Sequence, residues 1–168
     1  MISDSPYKVD ALALSPIAGL FSGIVAAFFM LGVVELMSPY SGMTVASVLT
    51  QFATLVLPGS FENMQTSTLV SIGLGVHLLI RMILALLYSV SQQSIPVRGL
   101  VAVGLFFGFI NWMAGSVIFG IAFHEEWRVS ARSWTWLIAN LVFGLSLALV
   151  SIILQAVRPS PVLAVPKD

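Results

Sequence analysis

The sequence predicts an all-α integral membrane protein, a bundle of four spanning helices with one extra short helix between the first and second spans. The 168-residue chain is 58% hydrophobic and only 8% charged, and its mean hydropathy is +1.03, whereas soluble domains carry about 25% charged residues. Four apolar stretches reach the length of about 20 residues that a helix needs to cross a bilayer. We expect one transmembrane domain over residues 1–168, with spans at about 16–37, 68–90, 99–123 and 134–156.

Local signals mark the predicted ends of these spans. Ser15 and Pro16 form an N-cap followed by a proline at the first helical position, and Ser133 can cap the fourth span. Pro96 precedes the third span, and Pro159 follows the fourth. Because each span is apolar on all faces, a soluble four-helix bundle is disfavoured.

Basic residues predict the orientation. In short loops the side richer in Lys and Arg faces the cytoplasm. The side with both termini and the loop before the third span carries Lys8, Arg98, Arg158 and Lys167, whereas the opposite side carries Arg128 and Arg132. We therefore expect both termini to be cytoplasmic.

Three tryptophans, Trp127, Trp134 and Trp136, cluster at the opposite boundary of the predicted membrane. Tryptophan is enriched where a helix meets the interface, because its ring is apolar and its N–H is polar. We expect all three to act as interfacial anchors.

The long connection between the first two spans contains an amphipathic segment at about 43–57, which is too short to span. As a helix it has an apolar face and an uncharged polar face. The apolar face comprises Val45, Val48, Leu49, Phe52 and Val56, and the polar face Ser47, Thr50, Gln51 and Thr54. The pattern leaves two alternatives open: an interfacial or re-entrant helix, or a helix that packs on a neighbouring protein.

Two glycine pairs with small-xxx-small spacing predict close helix packing. Gly19 and Gly23 lie in the first span, and Gly104 and Gly108 lie in the third. We expect the first span to pack tightly on the third, or each to pack on a partner helix. The recurrence of Gly-Leu-Phe-x-Gly also allows a duplicated helical hairpin.

The polar residues inside the spans are the candidate site. His77 and Arg81 lie one turn apart near the middle of the second span, and a buried arginine there must meet protein or a ligand. At 1.5 Å per residue, Arg81 lies about 20 Å from the tryptophan-rich face, Asn111 about 18 Å, His77 about 14 Å and Asn140 about 9 Å. Depth therefore favours Asn111 as the partner of Arg81 and Asn140 as the residue nearest His77. Glu35, about 3 Å deep, can reach Arg81 only if a helix is shifted.

Three interpretations of this polar centre remain open. It can be a hydrogen-bond network that sets helix register, a site for an anionic or carbonyl-bearing ligand such as a lipid head group or a quinone, or a proton relay through His77.

No cofactor, metal site or catalytic apparatus is predicted. The absence of cysteine excludes disulfides, thiolate chemistry and iron–sulfur ligation. His77 could ligate one haem or chlorophyll, with Gly73 leaving room for the ring, but bis-histidine haem is excluded because His124 lies at the membrane edge. The loop at His124 lacks the second histidine of a zinc motif. The basic residues of the whole chain are scattered, so they form no basic patch that could bind nucleic acid.

These features resemble small bacterial four-helix membrane proteins of unassigned function. The shared pattern is a glycine-rich first span, His77 in the second, Gly-x-x-x-Gly followed by Asn111-Trp112 in the third, and Asn-Leu-Val-Phe-Gly from Asn140 in the fourth. The architecture also resembles accessory membrane subunits of bacterial electron-transfer assemblies such as alternative complex III.

This second resemblance implies a non-catalytic accessory subunit of a respiratory or photosynthetic electron-transfer complex in the inner membrane of a bacterium. Its partners would be membrane lipids and other integral membrane subunits, with no nucleic acid. The alternative is a small transporter or channel that uses the polar mid-membrane site.

Overall fold

The computed structural model describes residues 7–57, 64–92, 95–122 and 129–157, which form helices and contain no strand. The helices that position the site are α1 (Tyr7–Ser41), α2 (Val45–Thr54), α3 (Thr66–Ser91), α4 (Val97–Ala122) and α5 (Trp134–Val157). Four of them are long and apolar enough to cross a membrane, over Ile17–Ser41, Thr66–Ser91, Arg98–Ile118 and Trp134–Ile153. This agrees with the predicted number and order of spans.

The first helix begins earlier than its proline signal predicts. α1 starts at Tyr7 and continues through Pro16, so this proline lies inside the helix and not at its first position. Pro16 removes one backbone hydrogen bond, but a helix can continue when neighbouring groups satisfy the freed carbonyl. The other signals agree with the structure: α4 follows Pro96 directly, and the Ser133 hydroxyl accepts the Trp136 N–H at 3.1 Å.

A tight turn joins α1 to α2. Gly42 has a φ of +70° and donates its N–H to the Ser38 carbonyl at 2.9 Å. This left-handed conformation ends α1 and suits glycine, which has no Cβ to clash. The next helix begins with a reciprocal cap, in which the Thr44 side chain accepts from Ser47 N and the Ser47 side chain accepts from Thr44 N.

The helices do not pack as predicted from the glycine pairs. α1 packs on α3 and on α5, and α4 packs on α5, whereas α1 and α4 have no extensive contact. α3 and α4 approach each other through side chains: the Tyr88 ring lies 5.3 Å from the Phe107 ring, and the Tyr88 hydroxyl donates to the Leu100 carbonyl at 3.3 Å. The expected packing of the first span on the third is therefore wrong.

Each glycine pair instead faces the second helix of its own hairpin. A Cβ on Gly23 would lie 2.7 Å from the Ala85 Cβ of α3, and a Cβ on Gly108 would lie 2.3 Å from the Asn140 carbonyl oxygen of α5. Gly19 and Gly104 continue these two contacts, and Gly144 of α5 faces Gly104. The recurring motif thus holds equivalent places in two hairpins, α1–α3 and α4–α5.

The short helix α2 packs on α3 of the same chain. A Cβ on Gly73 would lie only 1.7 Å from the Leu49 carbonyl oxygen, so the backbones are in direct contact here. Phe52 lies one turn further along and contacts His77, close to the middle of α3. α2 therefore runs beside the first half of α3, as a re-entrant helix would. Most of its apolar face is covered within the chain, with Val48, Leu49, Phe52 and Ala53 buried, whereas Val56 is 53% exposed.

The tryptophans divide between two environments. Trp134 is 77% exposed, as expected of an interfacial anchor, but Trp136 is only 4% exposed and belongs to the core. Residues two positions apart on a helix point about 200° apart around its axis, so Trp134 and Trp136 cannot face the same side. The anchor prediction for Trp136 is wrong, and Trp127 lies outside the described residues.

Gly108→Leu is expected to force α4 away from α5, because the Asn140 backbone leaves no room for a side chain. We expect a loss of about 2 kcal/mol in the free energy of unfolding, the usual size of an overpacking effect. The measurement is thermal unfolding of the purified protein in mild detergent. Ala102→Leu, on the exposed face of the same helix, is the matched control, and equal melting temperatures for both variants would contradict the close crossing.

Candidate functional site

Three of the four predicted polar residues form a hydrogen-bonded group that joins α3, α4 and α5. Arg81 Nη1 donates to Asn140 Oδ1 at 3.2 Å, and Asn111 Nδ2 donates to the same oxygen. The Asn140 amide in turn donates to the Trp136 carbonyl one turn earlier, at 2.7 Å. Asn140 is the hub, and both of its polar atoms are used.

The predicted pairing of Arg81 with Asn111 is therefore corrected: Asn140 bonds Arg81, and Asn111 bonds Asn140. The depth argument counted every span from one common membrane face, which placed Asn140 too close to that face. In the structure the Asn140 backbone lies against Gly108, one turn further from that face than Asn111, so Asn140 is deep enough to reach Arg81. His77, which depth placed nearest Asn140, has no hydrogen bond to it.

Glycine explains how Asn111 reaches the hub. Gly108 and Asn111 are three residues apart and share one face of α4. Because the Gly108 backbone lies against the Asn140 backbone, the short Asn111 side chain can cross to the Asn140 amide. A larger residue at position 108 would separate these two side chains as well as the helices.

Aromatic rings surround the Arg81 side chain, which is 3% exposed. Its guanidinium carbon lies 4.9 Å from the centre of the Phe143 ring and 5.8 Å from that of Trp136. A cation over a ring face is attracted by the ring's quadrupole, by about 2 kcal/mol when the pair is desolvated. The rings are partial compensation only, since Arg81 Nε is buried without a hydrogen-bond partner.

His77 lies at the meeting point of α1, α2 and α3 and is fully buried. The Phe52 ring contacts its imidazole edge-on at 4.9 Å between centroids. The backbone of Ala27 approaches the imidazole, but neither ring nitrogen makes a hydrogen bond. A buried polar atom without a partner costs about 1–3 kcal/mol, so His77 is an unusual core residue.

Glu35 does not approach this group. Its Oε2 accepts the N–H of Val45, the first residue of α2, at 3.2 Å. A carboxylate at a helix N-terminus is favourable because the first N–H groups are free and the helix dipole is positive there. Among the described side chains, Arg81 thus has no carboxylate partner.

The room beside Gly73 that would admit a haem or chlorophyll ring is filled. The α2 backbone at Leu49 occupies the Gly73 face, and Phe52 covers His77. A macrocycle at His77 would require α2 to leave α3.

Other predicted features give little chemistry. Among the described residues no three His, Cys, Asp or Glu side chains come together as metal ligands. The loop at His124 lies outside the described residues. The structure adds three aromatic residues that the sequence analysis did not assign to the site, Phe52, Trp136 and Phe143. In a chain this apolar, their sequence pattern indicates only core or anchor positions.

Comparison of this chain with protein-family models finds no match. Searches of curated proteins and of solved structures also find none. The arguments that follow therefore depend on the geometry of the chain itself. This geometry offers a fixed cation, unpartnered nitrogen atoms and flanking rings at the middle of an apolar bundle.

Proposed function

We propose that this protein is a non-catalytic subunit of a larger assembly of integral membrane proteins. The observation that carries the proposal is an outward stripe of small residues on α3, formed by Ser67, Ser71 and Gly75. All three are exposed, and a Cβ on Gly75 would have nothing within 4 Å. The spacing of four residues places them in one line on the helix surface.

Four other helical glycines pack inside the bundle, and this contrast indicates that the outward stripe is a contact surface for another helix. Gly19, Gly23, Gly104 and Gly108 each face a neighbouring helix of the same chain, whereas Gly75 faces outwards. Glycine in a helix costs about 1 kcal/mol relative to alanine, and in membranes small residues let two backbones approach. An outward small-residue line is therefore suited to a helix of another subunit.

A second outward glycine extends the argument to α1. Gly32 is exposed, has nothing within 4 Å of its Cβ position, and lies in an apolar groove that continues to Val142 of α5. Large apolar side chains flank it, including Phe28 and Phe29. α1 and α3 thus both present close-packing surfaces on their outer faces.

The narrower assignment is a subunit of a bacterial respiratory or photosynthetic electron-transfer complex in the inner membrane. It depends on the architectural resemblance to accessory subunits of such complexes, together with the compact, almost wholly apolar described chain. In this role the protein binds membrane lipids and neighbouring subunits and needs no cofactor of its own.

The test is Gly75→Leu in the native host. We expect the wild-type protein, extracted in mild detergent, to co-purify with membrane subunits in fixed stoichiometry by mass spectrometry, and the variant to lose them. The leucine fills the space that the partner helix needs, and its Cβ has no atom of its own chain within 4 Å. The isolated variant should therefore melt at or above the wild-type temperature, since leucine favours a helix more than glycine does. Ala102→Leu is the size-matched control and should keep the partners. A monodisperse wild-type protein without stoichiometric partners would refute the proposal.

Orientation follows as a separate prediction. With both termini cytoplasmic, a cysteine introduced at Ser160 should react with a membrane-impermeant maleimide only from the cytoplasmic side, because the bilayer blocks the reagent. The native chain contains no cysteine, so the background is clean. Labelling of intact cells or spheroplasts, compared with inverted vesicles, is the measurement, and labelling from the outside would reverse the orientation.

The second candidate function is a small transporter or channel, favoured by the polar group of Arg81, Asn111 and Asn140 inside the bundle. Transporter sites commonly lie at the membrane midplane between broken helices, whereas α3, α4 and α5 run without interruption. Substrate-dependent flux in proteoliposomes that Arg81→Ala abolishes would favour this function over the subunit role.

A further inference from the structure

We infer that Arg81 and His77 form a binding site for a lipophilic molecule with a hydrogen-bond-accepting oxygen, either the carbonyl of a quinone or the carboxylate of a fatty acid. This inference goes beyond the subunit role and does not depend on it. It starts from two neighbouring polar side chains on α3, each buried and each incompletely satisfied.

The charge of Arg81 is the first argument. A guanidinium near the middle of a spanning helix costs at least about 2.5–3.5 kcal/mol and is retained when something compensates it. The described residues supply one acceptor, Asn140 Oδ1, and two aromatic rings, but no carboxylate. Glu35, the described carboxylate of α1, is bound at the start of α2.

The unpartnered donors are the second argument. Arg81 Nε and both imidazole nitrogens of His77 have no well-formed hydrogen bond, although the Ala27 backbone approaches the imidazole. The two residues are four apart, so they project from the same face of α3. In either tautomer a neutral imidazole has one N–H, and together with Arg81 Nε it can present two donors to one oxygen atom.

The surroundings define the rest of the ligand. Phe52, Trp136 and Phe143 line the two polar residues. These rings suit a flat ring or an alkyl chain and exclude a hydrated ion. At 1.5 Å per residue, His77 and Arg81 lie within about 4 Å of the midpoint of α3, so the ligand must be soluble at the centre of the bilayer. A quinone is soluble at the centre of the bilayer, and the carboxylate of a fatty acid would neutralise the charge of Arg81.

We place the entrance for the ligand between α3 and α4. These helices lack close backbone contact and are bridged by side chains, with Tyr88 against Phe107 nearer the other end of α3. Asn111 lies on this side and is part-buried. The opposite side of the site is closed by α1 and α2, whose backbones contact α3 at Ala85 and Gly73.

The test uses Trp136 as an internal reporter, since its ring lies 5.8 Å from the Arg81 guanidinium. Trp112, Trp127 and Trp134 are replaced by Phe in the purified full-length chain, leaving one fluorophore. Decylubiquinone and 9,10-dibromostearate are the two probes, because both quench tryptophan at short range. The methyl ester of dibromostearate is the control for partition without a carboxylate.

We expect saturable quenching by at least one probe, with an apparent affinity at least about tenfold weaker in Arg81→Met, equivalent to about 1.4 kcal/mol. His77→Phe keeps the ring shape, removes both nitrogens and should also weaken binding. If Arg81→Met does not fold, probe binding to the His77→Phe variant tests the site instead. Thermal unfolding of each variant without probe shows whether the bundle is intact.

The outcomes separate the two ligand sources. Saturation by decylubiquinone alone assigns a carbonyl site, and saturation by dibromostearate but not by its ester assigns a carboxylate site. Saturation by both probes, lost in both variants, assigns a site for an acceptor oxygen of either kind. Linear quenching by every probe, or saturable quenching that is unchanged in a folded Arg81→Met or His77→Phe variant, overturns the inference. None of these results depends on whether partner subunits co-purify.

Discussion

Gly73→Ala is expected to detach α2 from α3, although it adds only one methyl group. The new Cβ would lie 1.7 Å from the carbonyl oxygen and 2.5 Å from the carbonyl carbon of Leu49. Both are backbone atoms, so the clash can be relieved only if the whole of α2 moves. We expect a loss of about 3 kcal/mol, the upper end of overpacking effects, because no flexible side chain can yield.

The movement can be measured by cysteine protection. Val48 lies on the buried face of α2 and is 2% exposed, so a cysteine at this position should react slowly with maleimide in the otherwise cysteine-free chain. In the Gly73→Ala background its reaction should accelerate by about two orders of magnitude, since every 1.4 kcal/mol of opening free energy is a factor of ten.

Gly75→Ala is the matched control for this effect. It lies two residues further along α3, on the outward face, and an added Cβ has nothing within 4 Å. We expect unchanged protection of residue 48 and a slight gain in stability from the better helix propensity of alanine. If the cysteine at position 48 reacted at the same rate in both alanine variants, the proposed contact between α2 and Gly73 would be wrong.

Asn140→Leu is the second substitution with a large expected effect. It removes the acceptor of both Arg81 Nη1 and Asn111 Nδ2 and leaves a buried charged donor without its hydrogen bond. Hydrogen bonds to charged groups contribute about 1.5–3 kcal/mol. We therefore expect a loss of about 3 kcal/mol in the free energy of unfolding, measured by SDS titration in mixed micelles.

A double-mutant cycle separates this bond from general packing. Arg81→Leu removes the charge, so Asn140→Leu should cost less in that background, with a coupling energy of about 1–2 kcal/mol. Asn111→Leu leaves the Arg81 bond in place and should cost about 0.6 kcal/mol, a typical interhelical hydrogen bond in a membrane. Additive losses for Arg81 and Asn140 would show that their contact contributes no stability.

Hydropathy determined the number and order of the spans. Four stretches near 20 apolar residues can lie in a bilayer only as helices, because all backbone groups must be satisfied within the segment. The positions of Ser133 and Pro96 also marked helix starts correctly, since capping and proline geometry act within a few residues. The start of α1 was misplaced because Pro16 is compatible with a helix that continues through it.

The sequence also predicted part of the environment of the polar residues. A histidine and an arginine four residues apart in an apolar span must face protein or a ligand, whatever the fold. Their partners could not be predicted, because residue depth was counted from the predicted start of each span, and these starts do not share one level. The Asn140 backbone lies beside Gly108, deeper than its distance from Trp134 suggested, and Asn140 bonds Arg81.

Only the tertiary structure decided which helices meet. The small-residue spacing of Gly19, Gly23, Gly104 and Gly108 predicts close contact but carries no information about the identity of the partner helix. Neighbour choice depends on how all helices share the available faces, and here each pair closes its own hairpin. The same applies to Gly73, where α2 packs against the backbone of α3 and brings Phe52 into contact with His77. Periodicity and composition act along one segment, whereas these contacts join segments distant in the chain, so packing alone assembles the site.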